Sequence, residues 1–413
     1  MYKLTGVERW LTPERLRGYS RVIFAVFVGE ALWKWGQFTL DLRAGSLPDI
    51  DFSVFWLVSH LASEGQALSL YDPTQLNGHL HEVSTLIRGN YGWFYPPSFI
   101  WLLLPLATLP YLPAYFTFVG LTLWGFVAVI KKFLPSPSWM WGLAAFPGLW
   151  FNLLNGQNAF MTASLAGLTL YWMDRRWKLS ALSLGLLFIK PHLAVLFPLA
   201  FLITGKWRIL GGATLTAGGL LGIALLWEGV ATLPAWLHSL EVARSWAENG
   251  GPSYWKFMPS VFSSLRWLGL SVRLAYLFHG MTALVAVLVT VWVWRECRNP
   301  NLRAAVLTSA SLLISPYLFY YDLAWLALPL VFLTRDGLHH GWRSWEREIL
   351  LGVWLCPLLC MALPVVIPLQ IGPLFTTSLL WMAVRRARWN SLPTGEASPD
   401  GAIPAKLAFR GDD

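Results

Sequence analysis

Residues 179–204 read LSALSLGLLFIKPHLAVLFPLAFLIT, an apolar run interrupted once, by Lys190-Pro191-His192. Arg175, Arg176 and Lys178 precede it, and Lys206 and Arg208 follow. Basic clusters mark the cytoplasmic ends of membrane segments, so the chain must leave and return within this one run. A full crossing takes about 20 residues, and the run holds too few for two. Proline at its midpoint removes a backbone donor and ends a helix. The reading is therefore two short helices meeting near Lys190 at the outer side. Broken helices at membrane depth persist only where they line a cavity inside the protein.

Working outward, residues 303–334 repeat the pattern, with Ser315-Pro316 at the midpoint and basic residues at Arg303 and from Arg335 to Arg347. Further apolar segments cover 96–130, 139–154, 157–173, 208–227, 271–294, 350–368 and 371–384, and the Pro-rich part of the first is expected to be re-entrant or hairpin-like. Of the 413 residues 56% are hydrophobic and 13% charged, which excludes a soluble enzyme of this length. The fold expected is an all-α polytopic membrane bundle of roughly ten to thirteen transmembrane or broken helices. The net charge of +9 reports orientation, because no basic run is dense enough for nucleic acid. Cys297, Cys356 and Cys360 lie in or beside apolar segments, without disulfide or zinc spacing.

The chain divides into a cytoplasmic N-terminus (1–18) carrying Lys3, Arg9, Arg15 and Arg17, a transmembrane domain (19–386) and a disordered cytoplasmic tail (387–413). The first membrane helix is expected from Tyr19 to Leu40 as an uncleaved anchor. Residues 41–95 then form the first outer loop, in which Phe52, Phe55, Trp56 and Leu61 fall near helical spacing. An amphipathic helix lying on the outer leaflet is expected there.

Sidedness brings polar features from distant segments to one face: Asp49 and Asp51, Asn155-Gly156-Gln157-Asn158, Lys190 with His192, and Tyr317 to Asp322. Either aspartate could cap the helix that follows, or stand at the lipid–water boundary as a base for an acceptor hydroxyl. Lys190 in an apolar run costs about 2.5–3.5 kcal/mol on insertion scales unless it meets an anion or water, so a phosphate or substrate contact is expected. Asn-Gly alone is a polar turn; Gln157 and Asn158 are more than a turn requires. The tyrosines near Pro316 could be interfacial anchors, whereas Asp322 inside an apolar stretch is the informative residue. Glu30 and Lys34 are expected to form an ion pair four residues apart. His79, His81 and Glu82 have loose metal-site spacing, but solvated histidines are more often unliganded, so no metal site is expected.

The motifs, taken together, resemble a known family. Asp51-Phe52 with Phe55-Trp56, Gly65, Tyr71-Asp72, Tyr95-Pro96-Pro97 with Pro105-Leu106, Asn155 to Asn158, Lys190-Pro191, Met258 to Ser260, and Pro316-Tyr317 with Tyr321-Asp322 follow an order similar to that of glycosyltransferase family 87. The resemblance runs from about residue 20 to 370. It implies a GT-C bundle with its active site on the outer, periplasmic face of the inner membrane. It further implies transfer of a sugar, with mannose the expected one, from a polyprenyl-phosphate donor to an envelope glycolipid or glycan, without a cofactor. By the same resemblance Asp51 is the general base of an inverting reaction. Lys190, His192, Gln157, Asn158, Tyr95, Tyr321 and Asp322 are the expected substrate-binding residues. A stabilised phosphate leaving group makes a second, acid-supplying carboxyl unnecessary. The competing reading is a transporter or flippase of lipid-linked sugars, because broken helices and the charges of Glu30, Lys34 and Lys190 suit that class as well.

Overall fold

The structure is a computed structural model describing residues 12–134 and 139–390. Most of the expected cytoplasmic N-terminus and the tail from 391 onward lie outside the described residues. The last helix, Gly372–Asn390, runs past residue 387, where the tail was expected to start. Among the described residues every regular element is a helix. Four are long and apolar enough to cross a membrane: Tyr111–Phe133, Trp207–Glu228, Val272–Glu296 and Glu346–Val365. The first helix, Pro13–Arg43, has 31 residues, about 46 Å of length at the usual rise. It is longer at both ends than expected; at the N-terminus Thr12 caps it and Pro13 opens it. Its Glu30 and Lys34 stand 3.9 Å apart and are both well exposed, a loose pair worth little.

The broken segments break where proline dictates. Residues 179–204 resolve into Trp177–Leu187, Pro191–Ala194 and Leu196–Ile203, with Lys190 at the first interruption. Residues 303–334 become Pro300–Leu313, a 3-10 helix Tyr320–Leu326 and Ala327–His340, with Pro316 in the gap. The Pro-rich stretch gives the short helix Pro97–Leu103 and a 3-10 turn Leu104–Thr108 before the long Tyr111–Phe133 helix. Leu109, ahead of Pro110, is steered out of helical conformation into an extended one, φ -116° and ψ 141°.

One expectation is corrected. The helix Asp51–Ser63 does not lie on the membrane surface: Phe52, Val54, Phe55, Leu57, Val58 and Leu61 are all buried. Those positions surround the helix axis, and a helix apolar on all sides belongs inside a protein. Phe52 packs on Tyr111, Tyr115 and Phe118, and Phe55 on Trp93, Tyr95, Phe99 and Phe118, at ring separations between 5.3 and 5.9 Å. Such aromatic contacts each add about 0.5–1.5 kcal/mol beyond burial. They clamp the Asp51–Ser63 helix onto the bundle.

At the other end of the bundle Arg386 is buried between two carboxylates. Its Nη1 stands 2.5 Å from Asp336 Oδ2, its Nε 3.0 Å from Glu346 Oε1, and its Nη2 also pairs with Glu346. The helices Ala327–His340, Glu346–Ala362 and Gly372–Asn390 are joined there.

Candidate active site

Asp51 is the first residue of its helix, and the N-cap, Ile50, makes no side-chain cap bond. Neither aspartate therefore plays the capping role. Asp49 instead accepts a 2.8 Å hydrogen bond from the Tyr91 hydroxyl, which ties the end of the outer loop to the start of the helix. Asp51 is half-buried. Burial pushes its carboxyl up to about 7, against the lowering effects of the Gln157 hydrogen bond and the nearby Lys190 charge. A carboxyl in that range takes and gives up a proton near neutral pH.

Gln157 reaches Asp51 because of the turn before it. The helix Pro147–Asn155 ends in Gly156, which adopts a left-handed conformation with φ 64°. A Cβ there would lie 2.5 Å from the Phe52 Cβ and 3.1 Å from the Tyr115 ring. Glycine thus serves twice, for the backbone angle and for the close approach of the turn to the helix carrying Asp51. The Gln157 Oε1 accepts from the Tyr95 hydroxyl at 3.2 Å and from the Asn158 backbone N–H at 3.0 Å. With donors on its oxygen, the amide nitrogen is the atom left to donate to the Asp51 carboxylate.

Lys190 anchors the opposite wall. Its Nζ donates to Asn158 Oδ1 at 3.0 Å and to Asp322 Oδ1 at 2.6 Å, and lysine and aspartate are both buried. The ammonium lies 5.0 Å from the Tyr321 ring centroid and 6.0 Å from that of Tyr95, within cation–π range. An unpaired charge at this depth would be severely destabilising; here each proline break supplies one member of a pair. Lys190 is neutralised by Asp322, a partner the sequence did not assign to it. His192 sits one turn-step beyond, its Nε2 buried with no hydrogen-bond partner among the described residues, as is the Asn158 Nδ2. Buried polar groups left unmatched are hydrogen-bonding capacity open to a ligand or to water.

The expected residues Asp51, Tyr95, Gln157, Asn158, Lys190, His192, Tyr321 and Asp322 thus converge from distant segments. Sequence reasoning missed Tyr254 and Phe257, which join the expected Tyr320 beside them. The Tyr320 N–H donates to the Phe257 carbonyl at 2.9 Å, and the two rings lie 5.6 Å apart. Tyr254 stands close enough to Asp51 for burial, and then the Asp51 charge, to hold its hydroxyl well above the usual range. Aromatic residues in a loop of an aromatic-rich chain carry no signal of their own. His79 pairs with Glu82 at 3.4 Å, and among the described residues no group of three or more His, Cys, Asp or Glu is placed to hold a metal.

The model of glycosyltransferase family 87 matches residues 93–316, more than half of the chain. The chain belongs to glycosyltransferase family 87. No curated protein and no solved structure matches it. A member of family 87 is an enzyme that transfers a sugar, and the transporter reading is set aside on that ground. The match contains Tyr95, Gln157, Asn158, Lys190 and His192, whereas Asp51, Tyr321 and Asp322 fall outside it. In this family 87 enzyme, the tertiary structure alone joins those three to the matched region.

Proposed function

We propose that the enzyme moves a sugar, mannose in the first instance, from a polyprenyl-phosphate donor to a glycolipid or glycan of the cell envelope. The reaction takes place at the periplasmic face of the inner membrane. The observation that carries this reading is the Asp51 carboxyl, half-buried, raised by burial to about 7 and set close to Gln157, Lys190 and Asp322. A base for a sugar hydroxyl needs this proton affinity and a fixed direction.

In the proposed reaction Asp51 removes the proton of an acceptor hydroxyl as its oxygen attacks the anomeric carbon. The bond to the donor phosphate breaks on the opposite side, so the configuration inverts. The phosphate departs as a stable anion and needs no proton. Lys190 has spent two donors, on Asn158 and Asp322, and an ammonium has three. The remaining N–H, with His192 and the Asn158 amide, serves the phosphate or the sugar. The Tyr95 and Tyr321 rings lie beside the ammonium, 6.0 and 5.0 Å from it.

The test offers the purified enzyme radiolabelled polyprenyl-phosphate mannose and a membrane lipid extract. Transfer by the wild type that Asp51→Asn abolishes supports the reading. Transfer that survives the substitution removes Asp51 as the base. Equal rates with other polyprenyl-phosphate sugars remove the preference for mannose, and a retained anomer in the product removes the single displacement.

A further inference from the structure

At the end of the bundle away from Asp51 lies an open surface cleft of about 640 Å³, lined by Thr204, Lys206, Trp294, Arg295, Glu296 and Arg303 among others. It forms where Leu196–Ile203 and Val272–Glu296 end and Pro300–Leu313 begins. The remainder of the Pro300–Leu313 helix beyond Arg303, about 15 Å at the usual rise, separates Arg303 from the gap that leads to Asp322.

Arg303 is the unusual member. Its Nε is buried and has no hydrogen-bond partner among the described residues. Its guanidinium carbon lies 5.8 Å from the Trp294 ring centroid, and the Trp294 N–H donates to the Arg303 carbonyl at 3.0 Å, so the stem is held in place. It also occupies the first turns of its helix, where the positive end of the macrodipole disfavours a cation. An anion in the cleft answers both problems, because it accepts the idle N–H and is attracted to the helix end.

The charges define the anion. Lys206 is paired with Asp174 and Glu296 adds one negative charge to the lining, which leaves a modest positive excess from Arg295 and Arg303. That excess suits a singly charged group better than a dianion. Leu202 and Trp207, next to Lys206, are exposed at 47% and 63%, an apolar flank for acyl chains beside a basic opening.

We propose that this cleft binds a phosphodiester, gripped by Arg303 and Arg295 in the forked geometry arginine offers to phosphate oxygens. The expected source is the head group of an anionic phospholipid in the leaflet opposite the catalytic face. The site is independent of the transfer reaction.

The experiment uses the full-length enzyme in phosphatidylcholine nanodiscs containing a minor fraction of phosphatidylglycerol. Native mass spectrometry counts phosphatidylglycerol retained after release, for the wild type, Arg303→Gln, Arg295→Gln and the exposed control Arg208→Gln. A parallel arm adds inorganic phosphate. The expected result is at least fivefold lower retention in Arg303→Gln, a smaller loss in Arg295→Gln and none in Arg208→Gln. Competition by millimolar inorganic phosphate identifies free phosphate as an alternative source for the same site. Equal retention in all four proteins overturns the proposal, as does an Arg208→Gln loss matching that of Arg303→Gln. Should Arg303→Gln not fold, the exposed Arg295 substitution decides alone: unchanged retention overturns the site.

Discussion

Lys190 Nζ and Asp322 Oδ1 meet 2.6 Å apart although 132 residues separate them in the chain. Each comes from a segment broken by proline, so one buried ion pair closes two interruptions onto each other. Removing one partner leaves the other charged and buried, at a cost of about 3–5 kcal/mol. Lys190→Met should therefore lower the unfolding temperature of the detergent-purified enzyme sharply, and Lys190→Met with Asp322→Leu should recover most of it. Transfer should stay lost in both, because the ammonium is gone. A double variant as unstable as the single one would show that the pair is not the source of the effect.

Asp51 sets the acid side of the pH profile. Its carboxyl is raised by burial to about 7, so the rate should fall as pH drops through about 7 and the base becomes protonated. Asp51→Asn should lose about 10²-fold or more in rate above pH 7, with the gap narrowing as the wild-type base is protonated at lower pH. Stability runs the other way. Between 3.8 and about 7 the folded state keeps a proton that the unfolded chain releases, so the unfolded state binds fewer protons and stability falls as pH rises across that window. Asp51→Asn should flatten this slope in thermal unfolding measured from pH 4 to pH 8.

Gln157 lowers the Asp51 carboxyl through its hydrogen bond. Gln157→Leu should move the acid limb of the rate profile to higher pH and reduce turnover at pH 7. Asp51→Asn in the same assay has no such limb to move. An unshifted midpoint in Gln157→Leu would show that the amide does not tune the base.

Gly156→Ala places a methyl where the structure leaves 2.5 Å to the Phe52 Cβ, in a left-handed conformation that costs a non-glycine residue about 1–2 kcal/mol. The turn must shift away from the Asp51–Ser63 helix. The expected outcome is a lower unfolding temperature together with a rate loss exceeding tenfold, since Gln157 moves with the turn. Steady-state transfer rates with saturating donor provide the check.

Arg386→Leu strands Asp336 and Glu346, which the arginine now pairs. It should destabilise the enzyme by about 3–5 kcal/mol while leaving the KM for donor unchanged in the folded fraction. Thermal unfolding and KM measured on the same preparation separate the two effects, and a raised KM would place the cluster in communication with the site.

Much of this architecture was legible before folding. Pro191 and Pro316 broke the helices where their missing donors required. The spacing of Phe52, Phe55, Trp56 and Leu61 announced a helix, yet not where it lies: Val54, Leu57 and Val58 cover its other faces, and only the Tyr111, Phe99 and Trp93 rings around it make a core of them. For Asp49 and Asp51 the position at a helix start, taken alone, favoured a cap over a catalytic carboxylate. The three-dimensional approach of Gln157, permitted by Gly156, decides against that role.

From its residues alone the chain determined a helical membrane protein with breaks at particular prolines and polar groups gathered at one end, because hydrophobicity, charge and proline chemistry act locally. Which polar group meets which was decided by tertiary structure: Lys190 with Asp322, Gln157 with Asp51, Tyr91 with Asp49. A hydrogen bond or ion pair depends on separations of a few ångströms, and no pattern along the chain carries that distance until the helices have packed.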